Sequence, residues 1–165
     1  MEGLLRSVYS RKRLSLLLRI VSHAAVAVSV LAYAYLLFLS FRESVYEGLA
    51  VFFSLAIPFF IVSLVRAAFD APRPYEIYDF YLERPKKREG KSFPSRHAYS
   101  AVSIAVLAYF YSVPVAVAVS AFALLLCVSR VLLGIHFIRD VVAGALIGAV
   151  SGGIGIALCY LATKL

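Results

Sequence analysis

The chain has 165 residues, 62% of them hydrophobic, a mean hydropathy of +0.88, and 17 basic against 9 acidic side chains for a net charge of +8. So apolar a composition excludes an ordinary soluble domain and reads as an integral membrane protein, a single domain over 1–165 whose core is a helix bundle in lipid. The positive residues flank apolar segments and crowd one loop instead of lining a soluble face, which argues against nucleic acid as partner and points to anionic lipid.

Residues 1–19 interleave Arg6, Arg11, Lys12, Arg13 and Arg19 with leucines, too much charge to cross a bilayer. They predict an interfacial amphipathic helix with Leu4, Leu5, Val8, Leu14, Leu16, Leu17 and Leu18 on its apolar side. A cleaved signal peptide is the competing reading, disfavoured because the charges run on to Arg19 and no small-residue site closes a short apolar core. Residues 20–41 form the first expected span, and the lone His23 within it reads as a satisfied, buried histidine. Residues 48–65 form the second, kinked by Pro58 and closed by Arg66.

The stretch 70–94 is a polar loop, with Arg73, Arg84, Lys86, Lys87, Arg88 and Lys91 against Asp70, Glu76, Asp79, Glu83 and Glu89. Pro72, Pro74 and Pro85 argue against one long helix there, while Tyr75, Tyr78 and Tyr81 suit a headgroup-level belt. The run Lys86, Lys87, Arg88 reads as a solvated or lipid-attracting face. A short third span covers 97–111, Pro114 makes a turn, a fourth covers 115–133 and a fifth 140–161. The expectation is an all-α polytopic bundle of about five spans. Gly144, Gly148 and Gly152 recur every fourth residue of the last span, for close packing inside the bundle or, less favoured, for a homodimer seam. Cys127 and Cys159 read as buried free thiols.

Three fragments carry the chemistry: RAAFDAPRP from Arg66 to Pro74, FPSRH from Phe93 to His97, and SRVLLGIHFIRD from Ser129 to Asp140. Guanidinium groups offer donor forks to phosphate oxygens, one histidine can attack phosphorus, a second can protonate the leaving oxygen, and a carboxylate can orient the first. The expected topology brings all three to one membrane face. Between His97 and Ser129 lie two spans joined by a turn, and the second span ends on the face from which the third begins. His136 and Asp140 stand four apart, so a helix starting there would put them within hydrogen-bonding reach. They could also be half of a metal site, a weaker reading because only three histidines exist and the remaining carboxylates lie in loops and the N-terminus. Arg139 reads as an interfacial anchor.

These residues resemble the type 2 phosphatidic acid phosphatase superfamily, with its pattern K-x6-R-P, P-S-G-H, S-R-x5-H-x3-D. Arg73, Pro74, Pro94, Ser95, His97, Ser129, Arg130, His136 and Asp140 match it with every spacing kept. Two positions depart: Arg66 stands for the lysine and keeps its charge, and Arg96 stands for the glycine. The resemblance implies a membrane enzyme with 70–94 as its active-site loop, working without cofactor or metal. His136 would be the nucleophile, giving a phosphohistidine, Asp140 its orienting partner and His97 the general acid. Arg66, Arg73, Ser95, Arg96 and Arg130 would bind phosphate. The substrate class implied is a lipid phosphate or diphosphate in a prokaryotic cell membrane, such as undecaprenyl diphosphate, phosphatidylglycerophosphate or phosphatidate. A non-catalytic lipid-phosphate-binding protein or a lipid transporter is the alternative, disfavoured because no motif histidine is missing and no charge falls at a predicted midplane. The basic N-terminus predicts a cytoplasmic site, whereas the resemblance implies an external one, and both remain open.

Overall fold

A computed structural model describes residues 1–78 and 90–164. Regular structure among them is entirely helical: α1 (Glu2–Ser10), α2 (Lys12–Glu43), α3 (Val45–Ala68), α4 (Pro74–Ile77), α5 (Arg96–Tyr111), α6 (Val113–Leu132) and α7 (Ile138–Ala162). Four of them, α2, α3, α6 and α7, are long and apolar enough to cross a membrane. The expected third span, α5, has only 16 residues. That is about 24 Å at the helical rise, short of a typical hydrocarbon core. It is the inner helix, touching α2, α3, α6 and α7 and burying Ala98, Tyr99, Ala101, Ser103, Ile104, Ala105, Leu107 and Ala108. A helix sheathed by others need not match the bilayer thickness.

The bundle turns large apolar side chains such as Leu31, Phe60, Leu64, Leu124, Leu146 and Val150 outward and keeps small ones inside. This is the inverse of a soluble protein, because lipid solvates leucine as well as a core does and close helix approach must come from small residues. Gly144, Gly148 and Gly152 all lie against α5. A Cβ on Gly144 would run into the Ser95 carbonyl, one on Gly148 into the Tyr99 carbonyl, and one on Gly152 would come within 2.7 Å of the Ser103 carbonyl. The glycine face is therefore occupied inside the bundle, the favoured of the two readings of the repeat. Pro58 of α3 lacks the N–H that would reach the Ser54 carbonyl; the Ser151 hydroxyl of α7 donates to that oxygen at 2.5 Å, and the Tyr99 hydroxyl donates to the Leu55 carbonyl at 2.7 Å. Neighbouring helices thus satisfy the carbonyls around the proline.

Several expectations are corrected. The N-terminal segment does not run to residue 19: the helix breaks at Arg11, and residues 12–19 are the opening turns of α2. Lysine, arginine and leucine are good helix formers, and their basic heads can reach out of the bilayer from an unbroken helix. Only α1 is the separate amphipathic piece, burying Leu5, Val8 and Tyr9. His23 is exposed, with Nδ1 2.7 Å from the Arg19 carbonyl, one turn from the charged end of α2. Ser112 alone joins α5 to α6, and Pro114 sits in the first turn of α6, where its missing N–H leaves no bond unmade. Both cysteines are free, but only Cys159 is buried. The expectations for Asp79, Tyr81, Glu83, Arg84, Pro85, Lys86, Lys87, Arg88 and Glu89 fall outside the described residues.

Candidate active site

The α6–α7 connection explains the spacing between Arg130 and His136. Helix α6 ends in a left-handed glycine, Gly134 at φ 61°. Its amide bonds the Val131 carbonyl at 2.9 Å, and the Ile135 amide bonds the Arg130 carbonyl at 3.0 Å. These two bonds are the Schellman pattern, which needs a residue tolerant of positive φ at that position. The next amide, of His136, also reaches the Arg130 carbonyl at 3.2 Å. Six residues apart in sequence, the arginine and the histidine are tied by their backbones.

Helix α7 begins two residues later, and Asp140 sits in its first turn, reaching back to accept the Phe137 amide at 3.0 Å. The expected direct hydrogen bond from His136 to Asp140 does not form. Nδ1 of His136 and Oδ2 of Asp140 are 3.8 Å apart, beyond hydrogen-bonding distance. Ser92, which sequence reasoning passed over, lies between them: its hydroxyl is 2.5 Å from Oδ2 of Asp140 and 3.2 Å from Nδ1 of His136. Ser92 and Asp140 are fully buried, and His136 is 2% exposed. Burial, aided by the cations of Arg73 and Arg66, holds His136 below the ordinary imidazole value against the opposing carboxylate of Asp140.

The arginines arrive from three elements. Arg66, in the last turn of α3, donates through Nη1 to the Ser92 carbonyl at 3.0 Å and the Pro94 carbonyl at 2.6 Å. Arg73, just ahead of α4, donates through Nε to the Gly90 carbonyl at 3.1 Å and lies over the Tyr75 ring. Both are buried, so they hold the returning loop as well as charging the site. The loop is pinned further by Glu76, which accepts the Gly90 amide at 2.8 Å. Arg130, in the last turn of α6, has a buried Nε with no hydrogen-bond partner among the described residues. A buried donor left in this way marks a place for an acceptor.

Ser95 caps α5, its hydroxyl accepting the Ala98 amide at 3.4 Å, and its own amide donates to the Asp140 carbonyl at 2.9 Å. That amide is thus engaged in joining α5 to α7. His97, in the first turn of α5, feels the charges of Arg130, His136, Arg96 and Arg66. Arg96 turns its guanidinium over the Phe59 ring, 5.7 Å from the centroid. Arg96 and His97 together line one end of a cavity of about 610 Å³, whose walls between α2, α3 and α5 are the apolar Val26, Val30, Phe52 and Ile104. Above the site, α1 is docked by the Tyr9 hydroxyl on the Leu133 carbonyl at 3.1 Å and by Leu5 and Tyr9 against Tyr75 and Tyr78. Exposed Arg139 stays outside, 3.6 Å from Oδ1 of Asp140.

Three of the groups that build the site were not read from the sequence: Ser92, Glu76 and Gly90. Ser92 had one available signal, a hydroxyl two residues ahead of Pro94 in a loop otherwise dominated by charge.

A family model described as the PAP2 superfamily matches residues 47–163. Among solved structures, the chain is similar to Aquifex aeolicus LpxE, at 24% identity over 94% of this chain and 93% of that one, with a TM-score of 0.72. It is also similar to the transmembrane PAP2-type phosphatidylglycerolphosphate phosphatase of Bacillus subtilis, at 21% identity over 99% of this chain and 82% of that one, with a TM-score of 0.65. Among curated protein sequences none matches significantly. At these identities the two structures establish a shared fold.

Proposed function

This chain belongs to the PAP2 superfamily, and from that premise we propose that it is a metal-independent phosphatase of membrane lipids working through a phosphohistidine. The observation that carries the reading is the buried cluster in which Ser92 bridges His136 to Asp140, Arg66 holds the Ser92 and Pro94 carbonyls just ahead of His97, and the Arg130 Nε has no acceptor among the described residues. Two histidines can divide the labour of nucleophile and proton donor, and the arginines offer an anion the positive surroundings in which it would be held.

In the first step Nε2 of His136 attacks phosphorus in line, forming the P–N bond as the P–O bond to the leaving group breaks. His97 gives its proton to the departing oxygen. In the second step water attacks the phosphohistidine, His97 takes a proton from that water, and the P–N bond breaks to release inorganic phosphate and regenerate neutral His136. Arg66, Arg73 and Arg130, with amides at the start of α5, stabilise the equatorial oxygens, the part magnesium plays in many phosphoryl-transfer sites.

The cavity beside His97 supports a lipid substrate, since an apolar slot between helices accepts a hydrocarbon chain and leaves the phosphate at the arginines. Arg96 adds a cation on the leaving-group side, which favours a diphosphate over a monoester. Undecaprenyl diphosphate, phosphatidylglycerophosphate and phosphatidate are the substrates to compare, and the bacterial sources of both similar structures support a prokaryotic cell membrane as the setting. The test is phosphate release from these three lipids by purified wild-type and His136→Ala protein in detergent with excess EDTA. Release by wild type alone supports the reading and ranks the substrates. Lipid binding or flux without release would instead make the chain a lipid-phosphate binder or transporter, and activity lost to EDTA and restored by a divalent metal would end the metal-free mechanism.

A further inference from the structure

We infer that Ser92 is a positioning residue that sets the tautomer of His136, an inference that rests on the proposed role of His136 as nucleophile. The motif places a carboxylate four residues after the histidine, yet the two side chains stand 3.8 Å apart. The Ser92 hydroxyl fills that gap. It has one proton to give, and the shorter of its two contacts, 2.5 Å, is to Oδ2 of Asp140, an acceptor that cannot donate when ionised. The proton therefore goes to the carboxylate. The oxygen then faces Nδ1 of His136 at 3.2 Å with a lone pair, so the ring must supply the proton of that bond. His136 is fixed with hydrogen on Nδ1 and a lone pair on Nε2, the form a nucleophile for phosphorus requires.

The hydroxyl is held independently of the dyad it bridges. The Ser92 amide donates to the Ala71 carbonyl at 2.9 Å, and its carbonyl accepts from Arg66 at 3.0 Å. The backbone of Ser92 thus joins the phosphate-binding arginine to the nucleophile's support, so an anion pulling on Arg66 is felt in the same residue that makes the bridge. Asp140 is pinned at the same oxygen, Oδ2, by the Phe137 amide. As the ring becomes cationic on phosphorylation, its Nδ1–H would stay bonded to the hydroxyl and the hydroxyl to the carboxylate, so the cation would be stabilised without any side chain moving.

The experiment compares Ser92→Ala and Ser92→Thr with wild type, using histidine 15N resonances and single-turnover kinetics in detergent. The chain has three histidines, so the His136 signals are assigned by their loss in His136→Ala. In wild type, Nδ1 should carry the proton and Nε2 should be bare. Ser92→Ala should show a mixture of tautomers and a kcat lower by roughly 10- to 100-fold, the usual effect of losing the partner that orients a histidine, with KM nearly unchanged. Ser92→Thr, which keeps the hydroxyl, should keep the wild-type tautomer. Should Ser92→Ala fail to fold, Ser92→Cys replaces it: a weak donor there should give a kcat below that of Ser92→Thr. Unchanged tautomer in Ser92→Ala, wild-type kcat in Ser92→Ala, or equal rates for the cysteine and threonine variants would each overturn the inference. The resonances are read without substrate, so a wild type inactive on every lipid would defeat the phosphatase reading while the tautomer still decides the role of Ser92.

Discussion

Where α3 begins, Glu47 is buried and satisfied: the Tyr111 hydroxyl donates to it at 2.5 Å, while its own amide donates to the Ser44 hydroxyl at 3.0 Å. Where α3 closes, at the opposite end of the bundle, Arg66, Arg73 and Arg130 gather around His136, and Asp140 is the buried carboxylate set into the cluster. The first arrangement is locally complete and binds helix to helix. At the second, among the described residues, the buried Nε of Arg130 has no acceptor. A carboxylate hydrogen-bonded inside the protein reads as structural, and a buried cationic donor with no acceptor reads as an invitation to an anion. That contrast separates the two ends although both bury ionisable groups.

The sharpest way to break it is at the site itself. His136→Ala should lower lipid phosphate release by roughly 10⁴-fold or more, as removal of a nucleophile does elsewhere. His97→Ala should cost about 10²- to 10⁴-fold on alkoxide leaving groups and much less on substrates whose leaving group needs no proton, where phosphoenzyme should still accumulate. Quenched-flow trapping of acid-labile, base-stable phosphate measures both. Complete loss of phosphoenzyme in the two variants alike would defeat the division of roles between the histidines.

A paired comparison of the two ends is the next test. Arg130→Ala should lower kcat/KM by about 10²- to 10³-fold, the scale of losing one charge-stabilising donor, and leave the thermal transition near its wild-type place. Glu47→Gln should do the reverse, weakening the fold by about 1–3 kcal/mol through a disturbed buried hydrogen bond while kcat stays within a factor of about two, since nothing there meets substrate. Activity lost in Glu47→Gln with an unchanged transition would show that the far end participates in the chemistry and dissolve the contrast.

The convergence of Arg66, Arg73, His97, Arg130, His136 and Asp140 was legible in the sequence because it follows from helix count and motif spacing alone. The Schellman turn at Gly134 is the local device behind one of those spacings. What was not legible depended on fractions of a helical turn. Four residues of separation predicts that His136 and Asp140 can meet, but α7 starts only at Ile138, so His136 approaches from a turn rather than from the helix face, and the gap admits Ser92. The break at Arg11 was equally hidden, because nothing in the composition of residues 1–19 distinguishes the turns before it from those after. Nor does hydropathy separate α5 from a lipid-facing span. Its alanines and serines reveal an inner helix only once the glycines of α7 are seen to press on Ser95, Tyr99 and Ser103.

The smallest expected effect is on pH, and it tests whether burial governs the proposed nucleophile. Burial first, then Arg73 and Arg66, depress His136 below its ordinary 6.5, while Asp140 pulls the other way. The proposed nucleophile must be neutral, so on substrates whose leaving group needs no proton from His97 phosphoenzyme formation should stay level as pH falls through 6.5 and decline only below it. Asp140→Asn removes the opposing pull and should carry that acid limb lower still, at a reduced plateau rate. Stability follows the same sign: with the folded value depressed, the unfolded chain binds more protons below pH 6.5, so acid weakens the fold through His136 in that window and the group contributes no such loss above it. An acid limb for phosphoenzyme formation above 6.5 would mean that the Asp140 carboxylate outweighs burial and the arginines, and one that Asp140→Asn moves upward would mean that its charge does not act on His136.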